Sequence, residues 1–172
     1  GFSDAEAKLV QRIHAHFATG DFLTALKLAD QALADAGAGE ELHAWVLEQL
    51  PVLLTSAGWA KLKLGDCDEA TTYLRRSEAM RRTPETAKGL AVCYYKQKNL
   101  AAAREQFTWF LYKQPGDFQM QLLYTDVLES DGRFDEECAR IRATSTSAAS
   151  GLSPRPRTRS QCVSQLSGRG AT

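Results

Sequence analysis

Apolar residues recur at helical spacing through the first 142 positions of the chain. Leu9, Ile13 and Phe17 share one face behind Asp4, a residue type suited to a helix N-cap, and Thr19-Gly20-Asp21 breaks the run. Phe22, Ala25, Leu26, Ala29 and Leu33 continue as a second helix to the glycine loop at Gly37 to Gly39. From Glu40 to Leu64 the pattern resumes through Leu42, Val46, Leu50, Leu53, Leu54, Ala57 and Leu62. It crosses Pro51, so it predicts one long helix kinked there or two shorter ones. Asp68-Glu69-Ala70 opens the next helix, with acidic residues placed favourably in its first turn, and Tyr73, Leu74 and Met80 carry its inner face as far as Thr83-Pro84. Further helices are predicted at 86–97, 100–113 (closed by Gln114-Pro115-Gly116), 118–130 and 134 to about 142.

The helices are punctuated at a fixed interval. Gly65-Asp66, Lys98-Asn99 and Gly132-Arg133 each lie between two amphipathic stretches, 33 and 34 residues apart. A period of that size marks units that cannot bury their hydrophobic faces alone and must stack on neighbours. Gly20 and Gly65 are 45 residues apart, about 11 more than the period, so an insertion separates the first unit. The expected division is a helical repeat domain over 5–142, made of a degenerate unit at 5–35 and units at 40–83, 84–117 and 118–142. Residues 143–172 hold much Ser and Thr and no apolar periodicity, and they are expected to form a disordered tail.

The third unit resembles the tetratricopeptide repeat, W-x2-L-G-x2-Y, then A-x3-F, then P. Leu90, Ala91 and Tyr94 stand at the Leu, Gly and Tyr places, Ala103 and Phe107 give the A-x3-F, and Pro115 closes it, with Ala87 at the Trp place. The second unit keeps Gly58, Ala70 and Leu74 but has Leu54, Lys61 and Ser77 elsewhere; the fourth keeps Tyr124, Leu128, Gly132 and Phe134. The resemblance implies an all-α fold, a right-handed α-solenoid of antiparallel helix pairs. It also implies a concave groove, lined by the first helix of each unit, that holds a peptide or partner helix. Register then selects Thr55, Trp59 and Lys63 from the second unit, Lys88, Val92, Tyr95 and Lys96 from the third, and Leu122, Asp126 and Glu129 from the fourth. Trp59, Tyr95 and the lysines would give an aromatic, basic mouth suited to an acidic or C-terminal segment. The carboxylate clamp of chaperone-binding members is not expected, because Val10, His14, Ser56, Trp59, Lys88 and Val92 stand at its places and only Lys88 fits.

Composition changes this picture in one respect. The formal net charge is zero, yet residues 143–172 carry four Arg and no acidic residue, which leaves 17 basic against 21 acidic residues in the rest. The repeats therefore offer no nucleic-acid footprint. No apolar run approaches the roughly 18 residues of a membrane span. The first residue is Gly1, from which a fragment or processed form is expected, and a cytoplasmic location is the reading adopted. Cys67, Cys93, Cys138 and Cys162 lack metal or disulfide-scaffold spacing and read as small buried hydrophobes in a reducing compartment.

Nucleophile-elbow, phosphate-loop, dinucleotide-binding and zinc-protease motifs are all missing, and His14, His16 and His43 fall on different helix faces or helices. No enzyme activity, cofactor or metal is expected. The function expected is a protein-protein interaction scaffold or adaptor binding a peptide or helical segment. The alternatives are an interaction or regulatory segment of a larger enzyme or secretion-machinery protein, or a chaperone for a secreted substrate.

Overall fold

A computed structural model describes residues 1–130 together with Ala139. Over these residues the chain is all-α, with seven helices: α1 Asp4–Ala18, α2 Phe22–Ala34, α3 Glu40–Lys63, α4 Cys67–Met80, α5 Pro84–Lys96, α6 Leu100–Lys113 and α7 Phe118–Ser130. The helix expected at 134–142 and the tail at 143–172 lie outside the described residues.

One turn is used three times. At Gly20, Gly65 and Lys98 the backbone enters the left-handed region, with φ of 80°, 83° and 62°. Each time the next two amides close the preceding helix: Gly20 N and Asp21 N donate to Phe17 O and His16 O, Gly65 N and Asp66 N to Leu62 O and Lys61 O, and Lys98 N and Asn99 N to Tyr95 O and Tyr94 O. This is the pairing that satisfies orphan carbonyls at a helix end. The residue that follows starts the next helix, since the Asp21, Asp66 and Asn99 side chains accept from Thr24 N, Glu69 N and Ala102 N. The 33-residue interval from Gly65 to Lys98 is the spacing of this turn, Gly20 stands 45 residues before Gly65, and Gly132 lies outside the described residues.

Two boundaries differ from expectation, at Asp4 and Pro84, and the alternatives left open at Pro51 are resolved. Asp4 is the first helical residue and Ser3 is the cap: the Glu6 amide donates to Ser3 Oγ while the Glu6 carboxylate accepts from Ser3 N. Pro51 lies inside a single α3 of 24 residues, so the two-helix alternative falls. Pro84 opens α5 instead of merely ending α4, because a missing N–H costs nothing in a first turn, and Thr83 caps it by accepting from Thr86 N.

Contacts divide the chain into two compact units, Gly1–Cys93 and Tyr94 onward, with α5 crossing the boundary. In the first, α1 packs on α2, α2 on α3 and α3 on α4. Its core holds Ile13, Leu26, Ala29, Leu42, Val46, Leu50 and Leu54, and a smaller cluster joins Leu62, Cys67, Ala70 and Cys93. Glu6 ties the start of α1 to that of α3 by accepting from Gly39 N at 2.8 Å. Small residues allow close approach: a Cβ on Gly58 of α3 or Gly89 of α5 would meet Leu74 of α4 at 2.6 Å and 2.8 Å. In the second unit α6 packs on α7, and Phe107 and Tyr124 meet with ring centroids 6.1 Å apart.

Candidate protein-binding surface

Between α3 and α5, within Gly1–Cys93, an open cleft of about 570 Å³ brings Thr55, Trp59, Lys63 and Lys88 to a common lining with Phe22, Ser56 and Glu85. Trp59 is half-buried and is held along the Nε1 edge of its indole. Its Nε1 donates to the Glu85 carbonyl at 3.2 Å, and its ring lies where a Cβ on Gly89 would come within 3.4 Å of Cε2. The indole is thus pre-oriented before any partner arrives, which lowers the entropic cost of using it as a contact. Lys63 is exposed and Lys88 half-buried; with the single Glu85 carboxylate they leave the lining net positive.

Two residues selected by register do different work. Thr55 is buried, and its hydroxyl meets Ser77 Oγ at 2.8 Å and Thr86 Oγ1 at 3.2 Å, so its polar atom faces the packing of α3 on α4 and α5. Ser77 also donates to the Pro51 carbonyl at 3.0 Å. Val92, like Trp59, packs on the cluster of Leu62, Cys67, Ala70 and Cys93 and does not line the cleft.

The remaining selected residues belong to the second unit. The Tyr95 hydroxyl donates to an Asp126 carboxylate oxygen, and this bond holds the tyrosine pKa above its ordinary value. The bond joins the end of α5 to α7, and Asp126 is itself exposed. Lys96 is exposed, and so is Leu122.

A second cleft in Gly1–Cys93 escaped the sequence reading. It has a volume of about 140 Å³ between α1 and α3 and is lined by Ile13, His14, Phe17, Trp45, Gln49, Val52 and Leu53. The His14 and Trp45 rings meet in its lining with centroids 5.3 Å apart and planes tilted by 49°. Its signal in the sequence is Trp45 and Val52, of which Trp45 packs on the core with only part of its surface and Val52 is exposed. Among the described residues no group of three or more metal-ligating side chains comes together, and no helix is long and apolar enough to cross a membrane.

Residues 55–117 match the family model of the tetratricopeptide repeat. No curated protein matches the chain. Among solved structures, MamA from AMB-1 superposes with a TM-score of 0.54 at 20% identity, covering 97% of this chain and 83% of that one. A mutant MamA gives 0.51 at 20% identity over 97% and 88%, and MamA from MSR-1 gives 0.50 at 20% over 97% and 99%. At such identity the likeness is one of fold.

Proposed function

We propose that this chain, which carries tetratricopeptide repeats over residues 55–117, is a protein-protein interaction scaffold that holds a peptide or helical segment of an acidic partner. The observation that carries the reading is the fixed Trp59 in the cleft between α3 and α5, with Lys63 and Lys88 beside it. A pre-oriented aromatic with cations at its edge is the arrangement from which interface anchors are built. Tyr95, Lys96, Leu122 and Asp126 are separate candidate contacts within the second unit, where the Asp126 carboxylate offsets the charge of Lys96. The reading is one of binding without turnover. A cytoplasmic location accompanies it, supported by the buried free thiols of Cys67 and Cys93.

The test is a titration of the full chain with a fluorescein-labelled Glu-rich peptide. Replacing Lys63→Glu together with Lys88→Glu is expected to weaken binding about tenfold or more, since each reversal exchanges a rim attraction for a repulsion, and to leave the helical circular dichroism unchanged. Unchanged affinity would remove the acidic partner from the proposal.

A further inference from the structure

Trp45, Gln49, Val52, Ser56, Trp59 and Lys63 follow one another along α3 at steps of four, three, four, three and four residues. That spacing puts them in one stripe on one face of the helix. None is buried: Val52 and Lys63 are exposed and the others half-buried. Both clefts of Gly1–Cys93 draw on this stripe, the smaller on Trp45, Gln49 and Val52, the larger on Ser56, Trp59 and Lys63. From Trp45 to Lys63 the helix rises by about 27 Å at about 1.5 Å per residue.

Building on the proposed function, we infer that the two clefts are the ends of one trough along α3. Its occupant is a partner segment of segregated composition, with a large apolar anchor for the α1/α3 end and acidic residues for the Lys63 and Lys88 end. The anchor is argued from size and chemistry. A dry cavity of about 150 Å³ lined by aliphatic and aromatic groups accepts a benzene ring. The smaller cleft offers about 140 Å³ and has no Asp, Glu, Lys or Arg in its lining. Its walls leave apolar surface in water, with Phe17 37% and Val52 44% exposed. A phenylalanine or leucine inserted there removes that surface from solvent, whereas an acidic side chain would lose hydration against a wall in which only His14 and Gln49 carry polar groups.

The opposite end of the stripe selects the opposite chemistry. Lys63 and Lys88 outnumber Glu85 there, so carboxylates are favoured. A uniformly acidic segment would fail at the Trp45 end and a uniformly apolar one would gain nothing from the lysines. The span suits a helical segment of about 18 residues or an extended one of about eight.

The experiment uses the full chain and fluorescein-labelled synthetic 18-residue peptides of identical composition. One has a Phe/Leu-containing half followed by a Glu-containing half, one has the halves in reverse order, and one has the same residues interleaved. At least one segregated peptide is expected to bind tenfold or more tightly than the interleaved one. Val52→Glu and Lys63→Glu are each expected to weaken that binding about tenfold with the helical circular dichroism intact. Trp45→Phe, which keeps an aromatic wall, should change the tryptophan emission shift on binding without abolishing it. If Lys63→Glu weakens binding and Val52→Glu does not, the trough is overturned while the binding surface at Trp59 stands. Equal affinity for all three peptides also overturns it. Failure of every peptide to bind overturns both proposals. A sedimenting dimer that Val52→Glu dissolves overturns the trough alone, since the smaller cleft would then belong to a second copy.

Discussion

Leu74 of α4 fills the space that a side chain on Gly58 of α3 would need: an ideal Cβ at Gly58 lies 2.6 Å from Leu74 Cγ and 2.7 Å from Cδ2. Leu74 is fully buried and also fills the Cβ position of Gly89, at 2.8 Å from Cδ1. Three helices thus converge on one leucine, and the cleft that contains Trp59 is framed by two of them.

Gly58→Ala sets two effects against each other. Ala gains about 0.8–1 kcal/mol over Gly in helix propensity, and overpacking costs about 1–3 kcal/mol. Leu74 has no exposed direction in which to yield, so a net loss of about 1 kcal/mol is expected in urea unfolding. Leu74→Ala alone should cost about 2–5 kcal/mol, and the double variant should be less destabilised than the sum of the two. Full additivity would mean that the contact does not govern this site.

Ser77 stands where the repeat usually has Ala, and it links Thr55 to the Pro51 carbonyl. Ser77→Ala is expected to lower stability by about 1 kcal/mol, the usual net value of a buried hydrogen bond. The urea midpoint should fall at an unchanged slope. A rise in the midpoint would show that the smaller, apolar residue suits this place better.

Glu6 accepts from both Ser3 N and Gly39 N, and these bonds hold its carboxyl below the usual range. Its folded-state pKa therefore lies below its unfolded value. The stabilisation is present above the unfolded value and is lost as pH falls through the folded one. Urea midpoints measured from neutral to acid pH should decline less steeply for Glu6→Gln than for the parent chain, and parallel curves would exclude this linkage.

Tyr95 is shifted upward, chiefly by its hydrogen bond to Asp126 and next by burial. Its contribution is present below the unfolded tyrosine pKa and is lost as pH rises through the folded one. Ultraviolet titration should show one tyrosine ionising after the exposed ones, and Asp126→Asn should bring that step down. An unchanged titration in the variant would leave the shift without its cause.

Lys98 holds the left-handed position that glycine holds at Gly20 and Gly65. A non-glycine residue there costs about 1–2 kcal/mol, and glycine's greater unfolded-state freedom returns about 0.5–1 kcal/mol of that. Lys98→Gly is therefore expected to raise stability by about 0.5–1 kcal/mol, read from the thermal midpoint. Gly65→Ala, forced to φ of 83°, should lower it.

The helices were readable because their two signals, apolar spacing and turn residues, agree along α2, α6 and α7. At Pro84 one residue type serves both as a stop and as a start, and only the cap at Thr83 tells which applies. The site was less legible. Register selects Trp59, Lys63 and Lys88, which the structure places on one cleft, but it cannot tell that the Thr55 hydroxyl turns into the packing or that Val92 packs on the cluster holding Cys93. Phe22 and Glu85 were missed because each enters the cleft from the end of a helix, where a register drawn along helix faces carries no information. The Trp45 cleft was missed because it lies in the inserted half of α3, for which the repeat pattern provides no positions.

The turn shared by Gly20, Gly65 and Lys98 is closed almost entirely by main-chain amides and carbonyls. The turn can therefore carry a residue other than glycine at its left-handed position without a change in its hydrogen bonds, at a cost in stability that glycine avoids, and the span between turns follows the length of the helices it encloses, 45 residues across α2 and α3 and 33 across α4 and α5.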